Sequence, residues 1–139
     1  MLDEGDVERI MRHPQTMIGS DGRLVRLGDG HPHPRWYGTF PRILGVYVRE
    51  RGVLTLEEAI RKMTSLSADR LGLRDRGRIA EGAVADLVVF GPATVRDRAT
   101  FEDPHQYPVG IEYVMVDGAL VVDGGRFTDA RPGRALRRP

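Results

Sequence analysis

The sequence has no cysteine, a single lysine and no long apolar run, and the first and last of these absences each remove a class of function. Without cysteine there is no disulfide, no thiolate nucleophile and no metal site that uses sulfur. No apolar stretch approaches the roughly 20 residues that a membrane-spanning helix needs. The segment from Met1 to Met11 is acidic and carries no signal-peptide core, so the expected location is cytoplasmic. A formal net charge of +1 leaves no broad basic field for nucleic acid or for a membrane surface. Lys62 stands against twenty arginines, a skew that reads as codon usage in a GC-rich gene rather than as function. Neither a P-loop nor a dinucleotide fingerprint occurs.

What is present suits one soluble domain with a modest core, in 139 residues. Asp3 is placed to cap a helix whose Val7, Ile10 and Met11 repeat at helical spacing, and Pro14 stops it, pushing His13 into an extended conformation. Thr16, Met17 and Ile18 then read as a short buried strand that ends in Gly19-Ser20-Asp21-Gly22. Residues 22 to 42 read as irregular. Within them, His31 to Arg42 hold three prolines, two histidines and three aromatics. A loop of that length is more often functional or packed than idle. Thr55 and Glu58 form a capping box for a helix whose apolar face is Leu56, Ala59, Ile60 and Met63. Ser67 starts a second short helix that Gly72 ends, with Leu66, Leu71 and Leu73 packed against the first.

From Gly77 the period changes to that of strands. Ala85 to Phe90 reads as a buried strand after the turn Glu81-Gly82. Ile111 to Val116 and Ala119 to Val122 flank Asp117-Gly118, a two-residue hairpin signal, and Asp123-Gly124-Gly125 closes the hairpin. The Arg- and Pro-rich tail from Arg131 to Pro139 reads as a solvated, frayed end.

Among candidate chemical groups, Asp21 is the sharpest. It ends the short strand beside Gly22, where a ligand can approach closely. A carboxylate at the C-terminal end of a strand in an alternating strand-helix fold can contact a metal or accept a proton. Equally, Ser-Asp-Gly is ordinary turn chemistry. His31 and His33 would lie on one side of an extended chain, but both precede proline and no third ligand is near, whereas zinc takes three or four. His13 and His105 are remote in sequence. A Ser20–His105–carboxylate triad lacks the G-x-S-x-G elbow. Asp103 to Pro108 reads as a turn with aromatic packing.

These residues carry a family resemblance. MIGSDG (17–22), HPHPRWYGTFPR (31–42), the run from Leu54 to Phe90, EDPHQYP (102–108) and GIEYVMVDGALVVDGG (110–125) are similar to the C-terminal third of the N-acyl-D-amino-acid deacylases, or D-aminoacylases, of the amidohydrolase superfamily. The GRIAEG…ADLVVF run with its hairpin marks the superfamily. GSDG with HPHPR and YGTFPR marks the deacylase branch. The resemblance implies an α/β plus β fold. Residues 1–73 would be the last helix-strand-helix portion of a (β/α)8 barrel, with Thr16 to Ser20 as its eighth strand. Residues 74–130 would be the C-terminal strands of a small β-sandwich, and 131–139 a basic tail. It also implies a zinc-dependent hydrolase of the amide bond of N-acyl-D-amino acids. Asp21 would be the barrel's terminal aspartate, touching the metal centre and taking the proton from a zinc-activated water. Arg35 would hold the substrate carboxylate. His31 and His33 are not among the zinc ligands the resemblance implies.

The histidines and the cysteine that complete the family's zinc site have no counterpart here, and a barrel takes about 250 residues. The chain is therefore expected to bind no zinc by itself, to be inactive alone, and to associate with the missing N-terminal portion or with itself. A non-catalytic module for assembly or binding and a non-functional remnant are the alternatives.

Overall fold

The computed structural model describes residues 3–23 and 26–136. Leu24, Val25 and the last three residues of the tail lie outside the described residues. The order is α1 (Glu4–Arg12), α2 (Arg35–Arg42) running on into a π-helix (Ile43–Glu50), α3 (Leu56–Met63), α4 (Ser65–Leu71), then β1 (Leu87–Phe90), β2 (Ile111–Val116), β3 (Ala119–Asp123) and β4 (Arg126–Phe127). No helix among the described residues is long and apolar enough to cross a membrane.

Local chemistry sets the helix ends. The Asp3 carboxylate accepts from the Asp6 amide at 2.8 Å, and His13 is extended, as its proline neighbour requires. The Glu58 amide donates to the Thr55 hydroxyl at 3.2 Å. The reciprocal half of the capping box is not used, because the Glu58 carboxylate turns to Arg61. α4 begins two residues before Ser67 and ends at Gly72, whose φ of 75° needs glycine.

Three expectations are corrected. Residues 16 to 20 form no strand: a ladder needs a neighbour, and the Ile18 amide instead donates to the Lys62 carbonyl at 3.2 Å. The stretch from Arg35 is helical rather than irregular. Pro34 sits just before the first turn, where its missing N–H costs nothing. Pro41, inside α2, does remove a bond, and the helix beyond it widens, with the Arg51 amide reaching back to Val46. Finally, β1 is exposed rather than buried, because it is an edge strand whose outer face is uncovered and whose inner face, at Val88, borders an open groove.

The four strands form one antiparallel sheet in sequence order. Asp117 and Gly118 both have positive φ, 47° and 81°, the turn a two-residue hairpin prefers. Val88 and Val114 pair on the face toward the helices, while Leu87–Met115 and Val89–Tyr113 pair on the outer face. Between sheet and helices lies an open groove of about 420 Å³ lined by Phe40, Pro41, Leu44, Met63, Val88 and Val114 among others.

The core gathers Met11 of α1, Ile43, Leu44 and Tyr47 of the π-helix, Val53, Leu54 and Ala59 around the start of α3, and Val95. Ile18, Phe90 and Ile111 pack against it. Val95, 1% exposed, is enclosed by glycines. A Cβ on Gly45 would lie 2.9 Å from the Val95 carbonyl, and one on Gly110 only 2.5 Å from the Val95 amide. Gly38, one helical face along from Gly45, allows the same approach to Asp97.

Two alanine substitutions separate strain from collision. Gly82 and Gly110 share φ +78°, but nothing lies within 4 Å of a Cβ on Gly82. Gly82→Ala should cost about 1 kcal/mol, the left-handed conformation alone, and Gly110→Ala about 3 kcal/mol or more. Urea unfolding of the two variants measures the difference.

Candidate functional site

The two residues singled out by sequence come together. The Arg35 guanidinium meets the Asp21 carboxylate at 2.5 Å, with both side chains half or more exposed. They sit at opposite ends of a loop that has no helix or strand among its described residues. An exposed pair of this kind is held by only about 0–1 kcal/mol, so an incoming ion can open it.

Both ends of the loop are fixed. Upstream, Lys62 is fully buried and its ammonium donates to the carbonyls of His13 at 2.5 Å and Thr16 at 3.1 Å. Its remaining neighbour is the Glu58 carboxylate at 3.5 Å. The turn after α1, and with it the segment leading to Asp21, is thereby drawn onto α3. Pattern reading passed over this residue. The available signal was its rarity in an arginine-rich chain and its place between the apolar Ile60 and Met63. Downstream, Arg35 opens α2. Its amide donates to His33 Nδ1 at 3.1 Å, and Thr39 returns a hydrogen bond to the Arg35 carbonyl at 2.8 Å. The far end of α2 is tied by Arg42 to Asp97 at 3.2 Å. Across the loop, a Cβ on Gly22 would lie 3.0 Å from the Trp36 ring, so the residue after Asp21 lies directly against the residue after Arg35.

The histidines hold structure. His31 Nε2 lies 2.6 Å from the Phe101 carbonyl, and the His33 ring stands edge-on to the Phe101 ring at 5.0 Å. His105 contacts Gly28, Gly30 and Tyr37, and His13 Nδ1 accepts from the Gln15 amide. His105 spends its ring nitrogens on those three groups, and Ser20 is not one of them. Among the described residues no three His, Cys, Asp or Glu side chains gather to hold a metal ion. Asp21 alone, paired with an arginine, does not fit a zinc site. What the arrangement offers is a carboxylate that can accept a proton beside a guanidinium that can grip an anion.

Comparison with known proteins gives this geometry a context. Residues 5–122 match the Amidohydrolase family. Over 138 residues the chain is 52% identical to a D-aminoacylase of Alcaligenes xylosoxydans xylosoxydans, covering 99% of this chain and 28% of that protein. A crystal structure of D-aminoacylase, described as defining a novel subset of amidohydrolases, matches with a TM-score of 0.92 at 51% identity, over 99% of this chain and 28% of the other. The N-acyl-D-glutamate deacylase of Bordetella bronchiseptica, complexed with zinc and a phosphonate mimic of the tetrahedral intermediate, matches with a TM-score of 0.80 at 50% identity, over 86% of this chain and 25% of the other. The chain thus spans about a quarter of the length of these relatives, and over that span it has their fold.

The upstream anchor has a pH signature. Hydrogen bonds from Arg61 are the main cause holding the Glu58 carboxyl down to about 2, against desolvation, with the charges of Arg61 and Lys62 adding to them. A carboxyl depressed by folding stabilises the fold above its unfolded value near 4.5 and loses that contribution as pH falls through about 2. Thermal melts between pH 5 and 2 should show a falling Tm, and Glu58→Gln should flatten that dependence.

Proposed function

Because the chain belongs to the amidohydrolase family, we propose that it is the C-terminal part of a zinc-dependent deacylase that hydrolyses the amide bond of N-acyl-D-amino acids. The observation that carries this reading is the Asp21–Arg35 pair, which puts a proton acceptor beside a carboxylate grip. The names of the relatives support the substrate class: D-aminoacylase and the deacylases of N-acyl-D-glutamate and N-acyl-D-aspartate. Zinc is bound in one matched structure, and another is of D-aminoacylase, with its binuclear metal centre.

In this reading residues 1–73 complete a (β/α)8 barrel and residues 74–130 complete a small β-sandwich. The outer sheet face with Leu87, Val89 and Tyr113 then lies against strands of the remaining part of the deacylase. Residues 16 to 20, without a ladder here, gain one from a neighbouring barrel strand. A metal held there would supply Lewis-acid chemistry, with ligands drawn from that remaining part. This chain's own residues bind and orient. Arg35 releases Asp21 and takes the substrate carboxylate with parallel N–H bonds. Asp21, freed of its partner, accepts a proton at its carboxylate. The isolated chain is then inactive.

Arg35→Lys tests the grip, in an enzyme assembled by joining this chain to the upstream portion of a D-aminoacylase. Lysine keeps the charge but not the planar fork. We expect kcat/KM for free N-acyl-D-amino acids to fall about tenfold or more, the scale of one charge-assisted hydrogen bond, while analogues with an amidated carboxylate are far less affected. An equal loss on both substrate types would show that Arg35 does not hold that carboxylate.

A further inference from the structure

His105 has no part in the chemistry above, yet its ring sits against Gly28 and Gly30 of the loop that joins Asp21 to Arg35. The Gly28 amide donates to Nδ1 at 3.3 Å, the Tyr37 hydroxyl lies 2.9 Å from the same nitrogen, and Nε2 lies 3.1 Å from the Gly30 carbonyl. An amide N–H only donates, so Nδ1 accepts. A neutral imidazole with an accepting Nδ1 carries its proton on Nε2, which then donates to Gly30. The Tyr37 O–H donates to the shared Nδ1 lone pair. Desolvation, and then the neighbouring Tyr107, push the Tyr37 phenol up from its ordinary value, which keeps that proton in place.

The loop is shaped to meet this ring. Gly28 and Gly30 take left-handed φ values of +91° and +67°, and nothing lies within 4 Å of where a side chain would begin. Residues 26 to 34 have almost no helix or strand to support them, so their hold on the 101–107 segment comes from His105, from the His31 bond to Phe101 and from the His33–Phe101 ring contact. Tyr37 belongs to the helix that Arg35 opens. One ring therefore contacts both the loop and the helix.

We propose that His105 is a positioning residue for Arg35. It fixes the Asp21–Arg35 loop, through Gly28 and Gly30, against the helix that presents the guanidinium, through Tyr37. Its effect on substrate rests on the reading of Arg35 as the carboxylate grip. Its effect on the loop does not.

The test uses the 139-residue chain for structure and the joined enzyme for kinetics. Long-range proton–nitrogen correlation should find the His105 proton on Nε2, and a proton on Nδ1 would overturn the proposal without any substitution. His105→Asn keeps an acceptor near the place of Nδ1, whereas His105→Gln keeps a donor near the place of Nε2. Exchange of the Gly28 amide should be roughly fivefold faster in His105→Gln, the worth of one net hydrogen bond, and return toward the wild-type rate in His105→Asn. In the joined enzyme His105→Gln should raise KM for free N-acyl-D-amino acids more than it lowers kcat, with His105→Asn restoring it. Identical Gly28 exchange in all three proteins overturns the positioning. Altered exchange with an unchanged KM overturns the link to Arg35. If Arg35→Lys itself shows no preference between the two substrate types, the carboxylate reading has failed, while the exchange result still decides the loop.

Discussion

The Lys62 ammonium is the constraint from which the site follows. A fully buried charge is tolerated only where oxygens surround it. Here the carbonyls of His13 and Thr16 come from the turn after α1, and the carboxylate of Glu58 comes from α3. Laying that turn across α3 satisfies the lysine. Once it lies there, Ile18 reaches the core, the Ile18 amide bonds the Lys62 carbonyl, and the chain is aimed toward Gly22 and the Trp36 ring. Removing the ammonium would cost the half-buried Thr16 carbonyl its partner, about 1–3 kcal/mol if shut from water, while the His13 carbonyl keeps the Thr16 amide at 3.1 Å.

The site itself has the opposite character. Asp21 and Arg35 are exposed and joined by a pair of small net worth, while Arg35 opens a helix and the chain before Asp21 is anchored at Ile18. Anchored flanks with loosely paired side chains would suit the proposed exchange of one carboxylate for another. The guanidinium is placed in advance, and releasing it costs little. The prolines and histidines between the two residues serve the rigidity. Pro34 starts α2, His33 accepts from its first amide, and His31 reaches the Phe101 carbonyl.

Features governed by chemistry within a few residues were legible in the sequence: the Asp3 and Thr55 caps, the glycine stop at Gly72, and the Asp117-Gly118 hairpin. Those that depend on distant partners were not. Thr16 to Ser20 has the composition of a strand but no neighbouring strand, and the Ala85–Phe90 strand has apolar side chains but no cover on its outer face. The helix from Arg35 was hidden by Pro34 and Pro41, whose positions relative to the first turn only the fold reveals. Lys62 was read as a compositional residue because its partners are more than forty positions away. His31 and His105 were weighed as ligands or turn residues for the same reason: their contacts at Phe101, Gly28 and Gly30 are about seventy positions distant. Asp21 and Arg35 were found as individuals, by resemblance. That they meet each other was visible only in three dimensions.

The central claim is that Asp21 is a proton acceptor in amide hydrolysis and not a turn residue that happens to face an arginine. Asp21→Asn in the joined enzyme tests it most directly, since asparagine keeps the size and turn chemistry and removes only the basic carboxylate. With the melting temperature unchanged, kcat on an N-acyl-D-amino acid should fall by about 10²–10⁴-fold, the usual loss of a general base. A near-native kcat in a well-folded Asp21→Asn enzyme would contradict the account.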